Sequence, residues 1–268
     1  MMELSTQAPS FFRIRALPTI DSTSEEAKRL SRDGAPEGTL VWALQQTAGR
    51  GRFGRSWVSP PGNLYFSLLL RPDLPPQAAM QLTFVAALAA SDVIREIIPK
   101  RAEITCKWPN DVLISGKKVA GILLESSLDS RGMVDSLVIG VGINIASHPP
   151  AWQVHYPATS LRAEGTVSAS ARSLLERFCP SFLVWHNAWR ESGFLPIREA
   201  WLARAERLHR PIEVRFEGGS TATGIFVDLD PTGALVLRQG GGKRLIFAGD
   251  VFPADLQRQL NEEDAAGN

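Results

Sequence analysis

The periodicity of the sequence predicts a chain of strands and helices that closes in an all-β segment, on three observations. Apolar runs of strand length recur between residues 39 and 145, and a helix-period stretch covers 77–98. Residues 210–257 then break into short alternating strands punctuated by glycine and proline. Length agrees, since 268 residues suffice for one large domain or for a large and a small one.

Asp21-Ser22-Thr23-Ser24-Glu25 reads as a helix start, with Ser22 and Glu25 at capping-box spacing and about two turns before Gly34. TLVWALQQ, 39–46, is a buried strand. TAGRGRFGRSWVSPPGN follows, with Gly, Arg and Pro at densities that suit neither a helix interior nor a central strand. It is a long loop, and long ordered loops are usually functional. Residues 64–71 return as a strand. Met80, Phe84, Ala87, Leu88 and Ser91 then predict one core-facing helix over 77–98.

Residues 103–107 form a short strand ending at KWPND, 112–115 pair with 118–126 across a turn at Gly116, and 134–145 are a buried strand holding two glycines. Pro, His, Ala and Ser predict a loop over 147–170. Leu174, Phe178, Phe182, Trp185 and Trp189 mark one face of a helix that Pro180 should bend, with both tryptophans in the core. Ile212, Val214 and Phe216 alternate, as do Ile225, Val227 and Leu229, between turns at Gly218-Gly219 and Pro231-Thr232-Gly233. A small barrel is expected there, with a boundary near Arg210-Pro211 separating 11–209 from 210–257.

Lys plus Arg number 29 against 28 Asp plus Glu, so no global field draws in a polyanion and any anionic partner must be met locally. Cys106 and Cys179 stand far apart without CxxC spacing, which argues against structural zinc and a disulfide framework and for a reducing compartment. No secretory start and no run of about 18 apolar residues is present, so the expected location is the cytoplasm, without a membrane partner.

Between Glu37 and Asp73 there is no acidic residue, and Arg50, Arg52 and Arg55 are interleaved there with Gly49, Gly51 and Gly54. Glycines permit close backbone approach and an N–H nest for anions, while guanidinium groups offer forked donors to phosphate or carboxylate. A solvated basic loop or a nonspecific RNA-binding tract explains this segment equally well. It is not a P-loop, since GxxxxGK[ST] is absent.

Three further motifs follow: KWPND (107–111), GKKVAGILLE (116–125) and GVGIN (140–144). Together with QTAGRGRFGRSW they resemble the catalytic domain of biotin protein ligases, in the family's order and near its spacing, over residues 11–255. That resemblance implies an α+β fold, a mixed sheet with flanking helices like that of class II aminoacyl-tRNA synthetases, and a small C-terminal SH3-like β-barrel. It also implies a two-step reaction. Biotin and ATP give biotinyl-5′-AMP and pyrophosphate, and a lysine of a biotin carboxyl carrier protein, of acetyl-CoA carboxylase or a related carboxylase, then attacks the adenylate. Only about twenty residues precede the first helix start, too few for a helix-turn-helix domain, so no DNA partner is expected; a homodimer stays open.

Carried over by resemblance, Lys118, Arg50 and Arg52 are the catalytic candidates. Ser22, Thr23, Ser24, Gln46, Gly49, Gly51 and Gly121 join them around biotin, with Ala120 beside Gly121. Arg50, Arg52, Arg55, Trp57, Asn110, Lys118 and Asn144 face ATP, and Asp111 is a candidate Mg²⁺ ligand. The physics of the first step explains the cations: two like charges about 3 to 4 Å apart at an effective dielectric near 20 repel by about 4 to 6 kcal/mol. Fixed cations and Mg²⁺ have to offset that. A lid formed by residues 49–57, disordered when empty and ordered by ligand, would protect the adenylate from water.

Plainer explanations exist for several residues: helix capping for Ser22, turn formation for Asn110 and Asp111, strand-end capping for Asn144, and core packing for Trp57. Strict strand alternation puts Lys118 and Gly121 on opposite faces, so a twist or bulge is required if both reach ligand. The four histidines show no metal-ligand spacing and neither cysteine has the context of a nucleophile. Two rival readings are a lipoate or octanoate ligase-type transferase of the same fold, and a non-enzymatic nucleic-acid-binding protein using the basic loop.

Overall fold

The structure, a computed structural model, describes residues 7–99 and 102–254. Strand β1 (Arg13–Leu17) runs parallel to β2 (Thr39–Ala43), with helix α1 (Thr23–Arg32) as the crossover between them. Strands β3 (Leu64–Leu70), β4 (Ile104–Lys107), β5 (Asp111–Ile114), β6 (Lys117–Leu128) and β7 (Val134–Ile143) pair antiparallel and complete a mixed seven-stranded sheet ordered β1-β2-β3-β7-β6-β5-β4.

The two faces of this sheet differ in residue size, and that difference places the site. Leu40, Trp42, Phe66, Leu68, Ile139 and Val141 project to one face, where helices α2 (Pro76–Met80), α3 (Leu82–Ile97), α4 (Ala171–Ser192) and α5 (Leu195–Leu202) close a continuous apolar core. On the other face α1 covers only a small cluster of Ala27, Val41, Leu69 and Val138. Further along that face Ser67, Gly140, Gly142 and Gly121 lie in adjacent register, Ser67 opposite Gly140 and Gly121 opposite Gly142. Small residues there leave a concavity no helix fills.

The helix expected over 77–98 is two helices meeting at Gln81, whose side chain bridges the Pro231 carbonyl and the Trp189 indole N–H. Met80, expected in the core, ends the short helix and is 51% exposed. By length and composition 76–97 is the one described helical stretch that would suit a bilayer, but α3 is sandwiched between the sheet and α4, which accounts for its apolarity. Helix α4 continues through Pro180 and stacks Phe178 on Phe182; Trp189 is buried, while Trp185 is half-buried and donates to Asp92.

After α5 the chain runs beside the edge strand β4, Cys106 and residues 204–206 exchanging backbone hydrogen bonds of 2.7 and 2.8 Å. Strands β8 (Pro211–Arg215), β9 (Thr221–Leu229), β10 (Leu235–Gln239), β11 (Gly242–Ile246) and β12 (Asp250–Pro253) then form a separate antiparallel sheet ordered β11-β10-β9-β8-β12. Residues 255–257 of the expected barrel lie outside the described residues. Strand β12 returns to the concave face of the large sheet, a placement no local pattern announces.

Candidate active site

Strand β6 carries the bulge that the alternation argument required. Val112 pairs with Ala120 and Leu113 with Lys118, so Val119 is the additional residue. The phase change puts Lys118 and Gly121 on the same face: a Cβ at Gly121 would stand 3.1 Å from the Lys118 Nζ. Ala120, expected beside Gly121 under biotin, turns into the apolar core instead, because the bulge delivers Val119 and Ala120 together to that side.

A cavity of about 580 Å³ opens on this face, and it collects every candidate except Gly49 and Ala120. Gly49 sits at the base of the glycine-arginine segment, where a Cβ would come within 2.4 Å of the Trp57 carbonyl. The segment folds as a small hairpin: Trp57 N–H donates to the Gly49 carbonyl, Gly51 N–H to the Arg55 carbonyl at 2.7 Å, and Arg50 bridges Ser56. The Gly51 amide is thus consumed inside the hairpin and is not a free donor of an anion nest.

One end of the cavity is uncharged and finely hydrogen-bonded. Gln46 accepts from the Thr23 N–H at 2.8 Å and donates to Ser59 at 2.9 Å, and Thr23 and Ser24 hydroxyls meet the Ser67 hydroxyl at 2.8 and 3.0 Å. Ser22 caps α1 by accepting from the Glu25 N–H. The capping box is only half formed, since Ser22 N–H donates to Asp21 and the Glu25 carboxylate goes to Lys28 and Arg50.

The other end is dense in charge. Asp111, buried, lies 2.5 Å from Lys118 Nζ and 2.9 Å from Lys107 Nζ. Burial alone would raise the Asp111 carboxyl, but the two ammonium groups outweigh it and hold it well below the ordinary carboxylate range. For Lys118 burial dominates and lowers its affinity for the proton, with Asp111 opposing. Arg52 bonds the Asn110 side chain and the Gly249 carbonyl at 3.3 and 3.1 Å and lies 3.5 Å from Asp250, which also pairs with Arg55 at 2.8 Å. The Asn110 amide donates to the Ile122 carbonyl, and the Asn144 amide to the Thr159 carbonyl at 3.0 Å, so both side chains brace the wall as well as facing it.

Trp57 is not an ordinary core tryptophan. Its indole lies on the glycine floor, where a Cβ at Gly142 would be 2.6 Å away, and Lys118 sits 5.2 Å above the ring. Arg50, expected beside anions, instead meets the carboxylates of Glu25 and Glu125, which neutralise it.

Comparison with known proteins agrees with this geometry. A family model described as "Biotin/lipoate A/B protein ligase family" matches residues 16–144, and one described as "Biotin protein ligase C terminal domain" matches 208–252. The chain is 44% identical over 239 residues to a biotin--[acetyl-CoA-carboxylase] ligase of Paracoccus denitrificans, covering 88% of this chain and 98% of that protein. It belongs to the biotin protein ligase family. Similarity extends to the bifunctional ligase/repressor BirA of Bacillus subtilis, at 36% identity over 87% of this chain and 71% of the relative. Among solved structures, the biotin protein ligase from Aquifex aeolicus in complex with biotin and ATP superposes with a TM-score of 0.76 at 30% identity, over 90% of this chain and 97% of that one.

Several residues of this ligase that line or brace the site were not singled out from sequence: Lys107, Tyr156 and His155 on the wall, Asp250 from β12, and Glu25 and Glu125. Lys107 and Glu125 sit inside motifs already quoted, and the acid-free window around Arg50 was itself a signal to look for carboxylates elsewhere. Both thiols are pushed up to about 12 by burial, which suits the absence of a cysteine nucleophile. Asp111, the candidate Mg²⁺ ligand, is already engaged by cations. Both Asp111 oxygens are met by ammonium groups, Asp250 is met by arginines, and among the described residues no group of three or more His, Cys, Asp or Glu is placed to hold a metal. In this structure Asp111, expected as a metal ligand, anchors two lysines.

Proposed function

We propose that this chain activates biotin with ATP to biotinyl-5′-AMP and then transfers the biotin to a lysine of the biotin carboxyl carrier protein of acetyl-CoA carboxylase or a related carboxylase. The observation that carries the reading is the polarity of the cavity. An uncharged end of serines, Thr23, Gln46 and glycines suits a neutral ureido ring, and an end where Lys107, Lys118, Arg52 and Arg55 exceed Asp111 and Asp250 suits phosphates.

In the first step an oxygen of the biotin carboxylate attacks the α-phosphorus and the bond to pyrophosphate breaks, the leaving group taking the electron pair. Lys118 stands where the two ends meet. Held by Asp111, it needs no reorganisation to stabilise charge as it builds on the α-phosphate, and Arg52, braced by Asn110, acts beside it. Ser22, Thr23, Ser24, Gln46, Gly51 and Gly121 position the vitamin, with Gly49 allowing the hairpin its tight base. Trp57 offers its ring to the adenine, while Arg55 and Asn144 complete the nucleotide side. In the second step the carrier lysine attacks the acyl carbon and AMP leaves. The hairpin 49–57 excludes water between the steps. Use of ATP and of a carboxylase carrier suits an enzyme of the cytoplasm.

The family model alone covers lipoate ligases as well; the C-terminal domain match and relatives named for biotin favour biotin. Pyrophosphate release that depends on both biotin and ATP, followed by transfer of labelled biotin to a carboxylase carrier domain, is the expected result. Equal turnover with lipoate, or RNA binding without pyrophosphate release, would replace the reading.

A further inference from the structure

Arg50 turns away from the cationic end of the cavity and lands on a cluster that no motif role explains. Its guanidinium meets Glu25 of α1 and lies 3.7 Å from Glu125 Oε1 of β6. Lys28, one turn along α1, pairs with the same two carboxylates at 3.0 and 2.6 Å. Two cations thus share two carboxylates drawn from a helix and a strand remote in sequence. Helix α1 gives up half of its capping box to present Glu25 this way. The Glu125 side chain is only 20% exposed, and its Oε2 is buried without a hydrogen-bond partner among the described residues. A fork-shaped donor has a second acceptor waiting there.

We propose that Glu125, set in place by Lys28, is a positioning residue. It is the socket into which Arg50 docks to hold the glycine-arginine hairpin down over the acyl-adenylate between the two half-reactions. The proposal rests on the reading above, which supplies the intermediate. Across the cavity the same hairpin is tied through Arg52 and Arg55 to Asp250, so it spans the opening with an ionic anchor on each side. Because Glu125 does not line the cavity, its effect must travel through Arg50 and appear as retention of the intermediate rather than as chemistry. The planar guanidinium makes the docking specific, since a lysine carries the charge without the fork.

The test uses the full chain and three variants. With biotin and ATP and no carrier, the rate at which biotinyl-5′-AMP escapes into solution is measured beside the first-turnover rate of pyrophosphate release, together with hydrogen exchange over 49–57. Glu125→Gln, which keeps shape and one acceptor, is expected to raise escape about tenfold while changing the pyrophosphate burst by less than about twofold. Lys28→Met should raise escape less, in the same direction. Arg50→Lys should raise escape at least as much, and adding Glu125→Gln to it should raise escape no further. Unchanged escape in Glu125→Gln, or additive effects of the pair, would overturn the socket. Should Glu125→Gln fail to fold, Glu125→Asp, which keeps the charge and shortens the reach, carries the same comparison. If the parent forms no adenylate, the reading of the function fails instead. Exchange over 49–57 then decides the socket: faster exchange in Glu125→Gln supports it and parental exchange overturns it.

Discussion

Lys107, Lys118, Arg52 and Arg55 face Asp111 and Asp250 at one end of the cavity, whereas Lys28 and Arg50 face Glu25 and Glu125 beyond the other. The residue types are the same, and the balance differs. Excess positive charge at the first cluster leaves capacity for an incoming anion, and partial burial keeps that attraction from being screened away. The second cluster is neutral as a whole, so it has nothing to offer a phosphate and serves to hold segments together. One hairpin contributes arginines to both, which lets a single loop take part in binding charge and in being fastened.

Removing charge from the first cluster should therefore hurt most. Lys118→Ala is expected to slow biotin- and ATP-dependent pyrophosphate release by about a hundred- to a thousandfold, as for loss of a fixed donor at developing charge, and a parental rate would break the contrast between the clusters. Next comes Asp111→Asn, which leaves the ammonium groups of Lys107 and Lys118 facing each other and should cost about 3 kcal/mol in denaturant unfolding at neutral pH. Its pH signature follows from the depressed Asp111 carboxyl. The unfolded chain binds the proton more readily, so the stabilisation is complete above the ordinary value of 3.8 and is lost as pH falls toward the lower folded value. The variant should lack that acid-side loss.

A smaller effect separates the clusters directly. Arg52→Ala should raise the KM for ATP about tenfold and flatten its dependence on salt, while Lys28→Met should leave that KM unchanged; equal shifts would erase the distinction. The mildest change expected is from Gly142→Ala. The new methyl would meet the Trp57 ring, so the indole must shift, with altered tryptophan fluorescence and about threefold weaker ATP binding.

The particular elements show why some features were legible and others not. Strands anticipated at 39–46 and 64–71 occur as Thr39–Ala43 and Leu64–Leu70, and Ser22 caps the helix start with half of the box its spacing suggests, because these depend on neighbours a few residues away. The break at Gln81 was hidden, since it is stabilised by Pro231 and Trp189, far along the chain. A bulge near Lys118 could be required by argument, but only the pairing of β5 with β6 showed that Val119 is the extra residue. Spacing alone makes Glu25 a capping residue, but Lys28 and Arg50 draw its carboxylate away from the Ser22 N–H.

Local order along the chain was enough to determine the strands and helices, the glycine-arginine loop and the motifs that resemble biotin protein ligases. Periodicity and turn chemistry act over short separations and leave their mark in adjacent residues. Tertiary structure alone decided which carboxylate meets which cation: Asp111 with its two lysines, Asp250 arriving on β12, and Glu125 beneath Arg50. Coulombic attraction depends on distance in space, and the sheet order and chain crossings that set those distances leave no trace in local spacing.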